Sequence, residues 1–237
     1  TILTSDLVNS TNHIKTIIFG AGCFWSVEKK FQETFGVIDV ESGYADGTII
    51  KPLYKEIIKR ENRFNPDNYA EVVRVTYNNN KTNLENLLKT FFEMHDPTQE
   101  NRQGNDVGVQ YRSVILTSSQ EEIMLSKKIK NLYQNLLSEK GYGIIKTKIK
   151  KLTNFYLAED YHQDYLKKNP NGYCPDNSTG IVFSKNPKQS IDNANLLTGK
   201  KILILEADGC PYCDKLRKDV LNDLSLIHIS EPTRRYR

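Results

Sequence analysis

Short apolar runs of strand length alternate along residues 15–168 with stretches whose apolar residues recur every three or four positions. A chain patterned this way buries both kinds of element only by packing helices on a sheet. Lys15 to Phe19 reads as a strand ending in Gly20-Ala21-Gly22. From Phe24, the positions Val27, Phe31 and Phe35 define one helical face, with Gly36 placed to stop it. Val37 to Tyr44 and Val72 to Tyr77 read as two further strands. Thr82 with Glu85 forms a capping box ahead of a helix carrying Leu84, Leu87, Leu88, Phe91 and Phe92, which His95-Asp96-Pro97 closes. A polar loop over 99–110 leads into a strand from Tyr111 to Thr117. Ser119 with Glu122 caps the longest helix, which stops before Gly141. Ile144 to Leu152 reads as a strand whose Lys146, Lys148 and Lys150 share a solvated face, and a short helix over 158–168 follows. Some of these returns are hairpin-like, so the expectation is a mixed sheet with helices packed on it.

The 237 residues allow one domain of about 100–200 residues plus something smaller. Residues 1–14 read as a polar arm, 15–184 as the main domain and 185–199 as a linker rich in Ser, Asn, Pro, Lys and Asp. Lys200 to Leu205 begins a new strand, followed by Cys210-Pro211-Tyr212-Cys213 at the start of a helix. That is the setting of a thioredoxin-like redox motif, with one knuckle of a zinc site as the alternative. The segment 200–223 is then a truncated fragment of such a domain, too short to bury a core of its own. The stretch LSLIHISEPTR from Leu224 to Arg234 fits no preceding pattern and resembles the translation of a sequencing-library adapter. Residues 224–237 are therefore expected to be a non-native tail.

No window approaches the ~18 uninterrupted apolar residues of a membrane-spanning helix. Lys and Arg number 33 against 29 Asp and Glu, an excess too small and too scattered to mark a nucleic-acid surface. The chain begins at Thr1 and shows no charged and apolar regions of a signal peptide. A cytoplasmic location is the expectation, with the cell envelope open if a signal peptide precedes Thr1.

The four cysteines, Cys23, Cys174, Cys210 and Cys213, are too few and too unevenly spaced for a secreted disulfide scaffold. Four-thiolate zinc usually pairs two close doublets, and only one doublet is present, so no metal is expected and catalytic or redox thiols remain. Cys23 falls on a strand-to-helix turn. The unpaired N–H groups and dipole of a helix start favour the thiolate, the reactive form. A buried cysteine packed with Phe24 and Trp25 is the plainer alternative. His162 reads as structural rather than as a metal ligand, and Glu28, one helical turn after Cys23, as a residue that orders its surroundings by hydrogen bonding, with a second acid as the alternative. Gly20 and Gly22 lack the pattern of a dinucleotide-binding turn.

The stretch GCFWSVEKKF, which contains Cys23, resembles the active-site signature of the peptide methionine sulfoxide reductase A family. SGYADG, PLYKEI, YAEVVRVTY, HDPTQENRQGNDVGVQYRS, FYLAEDYHQDYLKKNPNGYC and GIVF resemble its later motifs in a consistent order, over residues 15–184. The resemblance implies an α+β two-layer sandwich with a mixed β-sheet and flanking helices. It implies reduction of free or peptide methionine-(S)-S-oxide in the repair of oxidised proteins, with no metal or organic cofactor. Cys23 then matches the nucleophile, Glu71 the carboxylic acid that protonates the sulfoxide oxygen, and Cys174 the resolving thiol. Phe24 and Trp25 match the walls around the substrate methyl. Tyr54, Asp106 and Tyr111 match the polar groups around the oxygen. Electrons are expected from a thioredoxin-type protein or dithiothreitol, and the protein is expected to be a monomer.

Two features depart from the family pattern. The connection IIKRENRFNPDNYAE between Tyr54 and Glu71 is longer than the family's, with Tyr69 where the family has His. No recycling cysteine lies between Cys174 and Cys210. Either thioredoxin reduces a Cys23–Cys174 disulfide directly or the Cys210/Cys213 pair does. Two other functions remain open on the residues alone: a general thiol–disulfide oxidoreductase centred on Cys210 and Cys213, or a non-catalytic binder of methionine sulfoxide or peptide.

Overall fold

The computed structural model describes residues 13–49 and 52–183. Nearly all of the expected arm, the linker, the Cys210–Cys213 motif and the tail lie outside the described residues. The elements run β1 (Ile14–Gly20), α1 (Phe24–Gln32), β2 (Val37–Ala45), α2 (Tyr54–Ile57), β3 (Ala70–Asn78), α3 (Leu84–Glu93), β4 (Arg102–Gln103) and β5 (Asp106–Val107). They continue with β6 (Val114–Thr117), α4 (Gln120–Glu139), β7 (Lys148–Lys151), β8 (Phe155–Leu157) and α5 (Tyr165–Lys168). Single 3-10 turns cover Arg60–Asn62 and Val109–Tyr111.

Six strands form one sheet in the order β7-β6-β1-β3-β2-β8, with β6 and β7 parallel and the other neighbours antiparallel. This is the expected mixed α+β sheet. Alternation along its strands decides which side chains face the helices. Phe19, Tyr44, Val73, Val75 and Ile115 point to the helical layer, where they meet Phe31, Leu88, Phe91, Ile129 and Tyr133. The Phe19 ring stacks between Phe31 at 4.9 Å and Phe91 at 5.0 Å. Ile18, Val72, Val114 and Leu116 point to the opposite face, where Leu152 and Phe155 cover them. Burying each such side chain is worth about 1.5–3 kcal/mol, so this alternation fixes the register of every central strand.

Several expected boundaries move, each because another group satisfies the backbone. α1 ends at Gln32, and Gly36 turns the chain at φ +84°, so Phe35 lies beyond the helical face and is 76% exposed. The cap of α3 is Asn83 rather than Thr82. Its side chain accepts the Asn86 N–H, while Thr82 is buried where a Cβ on Gly36 would strike it. Ser119 caps α4 as expected, accepting the Glu122 N–H. β7 is shorter than Ile144–Leu152, because the Ile145 N–H donates to Gln134 and the Lys146 N–H to the Pro97 carbonyl. Tyr111 sits in a 3-10 turn ahead of β6 instead of in the strand. The expected helix over 158–168 contracts to α5, preceded by edge strand β8 and by Asp164 in a left-handed conformation at φ 53°.

The long connection between Tyr54 and Glu71 has its own order. The buried Asn68 side chain donates to the carbonyls of Ile57 and Asn62, closing the excursion on itself. Ala70 and Glu71 then enter β3 in regular pairing with Ala45 and Tyr44. The extra length therefore leaves Glu71 in the ladder.

Candidate active site

Cys23 is the cap residue of α1, at the C-terminal end of a turn whose Gly22 has φ +97°. A Cβ on Gly22 would come within 2.8 Å of the Gln103 side chain, so only glycine permits this approach. Gln103, fully buried, binds Asp96 through both ends of its amide and pins the β4–β5 hairpin beside the turn.

Glu71 reaches the same point from the sheet. It faces the helical layer because it alternates with Val73 and Val75, and its neighbour across the ladder is Tyr44. Its Oε2 accepts the N–H of Phe24 at 3.2 Å, one residue after the thiol. Burial raises the Glu71 carboxyl to about 8, and the charge of Asp106 adds to this against the opposing Phe24 N–H. A carboxyl with that affinity is an acid at neutral pH and holds a proton it can give away.

The thiol departs from the sequence expectation. The N–H groups of Trp25 and Ser26 do lower its proton affinity, as a helix start should. Burial and the Glu71 charge outweigh them and push it well above the ordinary thiol value. The helix start supplies only a few tenths to about 1 kcal/mol, less than the desolvation of a buried anion. The balance at Cys23 therefore favours the thiol over the thiolate.

Tyr54 from one segment, and Asp106 and Tyr111 from another, come to the same site. Asp106 opens β5 and its proton affinity is raised by burial. Tyr54 starts α2, and burial first, then the charges of Glu71 and Cys23, push its hydroxyl up to about 12. Tyr111 is raised further by burial, with Glu71, Asp106, Tyr54 and Cys23 all contributing. Both phenols thus stay protonated and available as donors beside two carboxyls and a thiol.

The apolar side is an aromatic cluster. Phe24 is buried against Tyr44 at 5.8 Å and against His162 at 4.9 Å. Trp25, partly exposed, stacks on Tyr165 at 3.8 Å. Its Nε1–H donates to Nδ1 of the buried His162. His162 also meets the edge of Tyr54 at 4.6 Å, so its placement is structural, as its sequence setting suggested. Cys174 is exposed in a stretch without regular secondary structure, and both it and Cys23 are free thiols.

Several participants were quoted in the sequence motifs without a part of their own. Glu159 accepts from the Tyr44 hydroxyl at 2.8 Å and from the Tyr54 N–H at 2.9 Å, and its carboxyl is held below the usual range. Tyr173 donates to Asp106 at 3.3 Å, tying the residue before Cys174 to the Asp106 side of the site. Glu28, by contrast, was expected to order its surroundings by hydrogen bonding and does so, accepting from Ser42 and from the Asp164 N–H, which fixes the approach to α5 and hence Tyr165. None of these contacts has a local signal, since each joins segments more than ten residues apart. Cys210 and Cys213 lie outside the described residues. Among the described residues no group of three His, Cys, Asp or Glu side chains is placed to hold a metal ion. None of their helices is long and apolar enough to cross a membrane.

The peptide methionine sulfoxide reductase family profile matches residues 15–192. The human mitochondrial peptide methionine sulfoxide reductase is 48% identical over 164 residues, covering 69% of this chain and 68% of its own. The peptide methionine sulfoxide reductase MsrA of Corynebacterium kroppenstedtii is 45% identical over 173 residues, covering 71% and 76%. Among solved structures, methionine sulfoxide reductase A of Corynebacterium diphtheriae superposes with a TM-score of 0.64 at 39% identity, over 72% of this chain and 82% of that one. Reduced Mxr1 of Saccharomyces cerevisiae superposes with a TM-score of 0.62 at 35% identity, over 73% and 94%.

Proposed function

This chain belongs to the peptide methionine sulfoxide reductase family, and from that premise we propose that Cys23, Glu71 and Cys174 reduce methionine-(S)-S-oxide, free or within oxidised proteins. The observation that carries the reading is the Glu71 carboxyl, buried, bonded to the residue after Cys23 and raised to about 8. A sulfoxide sulfur becomes electrophilic only when its oxygen is protonated or strongly hydrogen-bonded. Glu71 in its acid form meets that need, with the Tyr54 and Tyr111 hydroxyls as further donors.

Phe24 and Trp25 take the substrate methyl on the aromatic side. The Cys23 sulfur attacks the sulfoxide sulfur as Glu71 gives its proton to the oxygen. Methionine leaves with the electron pair, the oxygen passes to Cys23 as a sulfenic acid, and the thiol proton returns to the carboxylate. Protonation of Glu71 also removes the neighbouring charge that raises the Cys23 thiol, so the same proton serves both groups. Cys174 then condenses with the sulfenic acid, forming a Cys23–Cys174 disulfide and releasing water before further oxidation becomes irreversible. A thioredoxin-type dithiol returns both thiols by exchange, and no cofactor takes part in any step.

Single-turnover reaction with excess enzyme tests this. About one methionine per enzyme should be released from the S epimer, with a trappable Cys23 sulfenate in the Cys174→Ser variant. Cys23→Ser should release none. Equal reduction of the R epimer, or turnover in Cys23→Ser, would refute the reading.

A further inference from the structure

The long connection after Tyr54 bonds the loop that carries Asp106 and Tyr111 at Arg63 and at Asn68, and Arg63 makes two of these bonds. The Arg63 carbonyl accepts the N–H of Val109 at 2.8 Å. Its side-chain Nε–H donates to the carbonyl of Val107 at 2.8 Å. The two bonded positions alternate with Gly108 between Asp106 and Tyr111. Arg63 thus grips, by main chain and side chain together, the short segment that presents both of those groups. The other end of that segment is held by Arg112, whose guanidinium donates to the carbonyls of Val109 and Asn68 and to Asp46. Asn68 closes the extension from inside. The connection is therefore bonded to the loop opposite as well as to itself.

We propose that Arg63 is a positioning residue for the oxygen side of the site, and that the extension over residues 58–68 acts as a brace setting where Asp106 and Tyr111 stand relative to Glu71. This deepens the proposed sulfoxide reduction and rests on it. The physical case is geometric. Asp106 and Tyr111 sit on a two-residue strand and a single 3-10 turn, which have too few hydrogen bonds of their own to fix a side chain to within a fraction of an ångström. Two bonds from outside remove that freedom. Releasing one of them lets Asp106 withdraw from Glu71 and admits water to the carboxyl. Both changes weaken the hold of Glu71 on its proton, and the remaining neighbours, Cys23, Tyr44, Tyr54 and Tyr111, do not replace Asp106.

The test compares Arg63→Ala, Arg63→Lys and, as a surface control, Arg60→Ala in the full chain, by single-turnover reduction of methionine-(S)-S-oxide across pH. Wild-type reduction establishes the parent reaction; its absence would defeat the functional reading and the brace with it. Given that reaction, Arg63→Ala should slow the chemical step about three- to tenfold, the usual net worth of one intramolecular hydrogen bond. The alkaline limb of its pH profile should move to lower pH. Arg63→Lys should recover part of both, and Arg60→Ala neither. Amide exchange in the peptide covering 104–111 should rise in Arg63→Ala and in no other part of the catalytic domain. Unchanged kinetics and limb would overturn the proposal, as would a loss of thermal stability with the kinetics intact. If Arg63→Ala does not fold, the shift of the limb in Arg63→Lys decides in the same way.

Discussion

The indole Nε1–H of Trp25 donates to Nδ1 of His162 across 3.1 Å, joining residues 137 positions apart in the chain. An accepting Nδ1 requires the neutral ring with its proton on Nε2, which is buried, without a hydrogen-bond partner among the described residues, and 3.9 Å from Glu159. Burial lowers the proton affinity of this ring, keeping it in that form. Protonation would turn Nδ1 into a donor facing another donor. The aromatic wall proposed for the substrate methyl is thus oriented by the charge state of a histidine to which the proposed reaction assigns no step.

His162→Ala should raise KM for methionine sulfoxide about three- to tenfold, the worth of one buried neutral hydrogen bond, with a smaller effect on the chemical step. His162→Asn, whose amide oxygen can accept from the indole, should recover part of the loss. Tryptophan fluorescence reports directly, since Trp25 is the only tryptophan in the chain. An unshifted emission spectrum in His162→Ala would contradict the orienting role.

Glu71→Gln keeps the shape and removes the transferable proton, so the chemical step should slow by roughly a hundred- to ten-thousand-fold. In the wild type the rate should fall as pH rises through about 8, where the carboxyl loses its proton. The variant should lose that limb. A Glu71→Gln enzyme close to wild type would move the acid to another residue.

Cys174→Ser should release about one methionine per enzyme and then stall under a thioredoxin-type reductant, accumulating Cys23 sulfenic acid. Mass spectrometry with a sulfenate trap reads the adduct. Continued turnover would assign resolution to another thiol.

His95 predicts a stability profile in pH. Its ring is fully enclosed, with Nδ1 at 2.7 Å from the Phe91 carbonyl and Nε2 at 2.8 Å from the Ser113 hydroxyl, and burial holds its proton affinity down to about 4. The unfolded chain binds a proton there at about 6.5, so stability is full above that pH and declines as pH falls from 6.5 towards 4. The loss at the acid end is on the order of 3 kcal/mol. Thermal melting between pH 4 and 8 in wild type and His95→Gln measures it. Parallel curves would place the acid sensitivity elsewhere.

Glu28→Gln retains an acceptor oxygen for Ser42 and the Asp164 N–H and should melt close to wild type. Glu28→Ala leaves the buried Ser42 hydroxyl and the partly buried Asp164 N–H without this acceptor and should cost about 1–3 kcal/mol. The reverse order in a melting series would mean that the charge of Glu28, not its hydrogen bonds, holds α5 in place.

The apolar alternation along the chain was enough to place β1, β2, β3, β6, α1, α3 and α4 and the inward face of each, whereas α2, the β4–β5 pair and edge strand β8 left no such mark in it. Glu71 points towards Cys23 because it alternates with Val73 and Val75, and that period of two is legible without coordinates. The motifs also named the members of the site. They did not reveal that the balance at Cys23 favours the thiol, since burial beside Glu71 overrides the helix start only once strand and helix are packed together. The caps and strand ends shifted for the same reason. The Lys146 N–H found the Pro97 carbonyl, and the Gly36 turn met Thr82, partners brought near by tertiary folding alone. The grip of Arg63 on the segment of Asp106 and Tyr111 spans 44 positions to Val107, and local periodicity carries no information at that range. Propensity and pattern act over a few residues, whereas desolvation, charge and hydrogen-bond pairing depend on what packing places within a few ångströms.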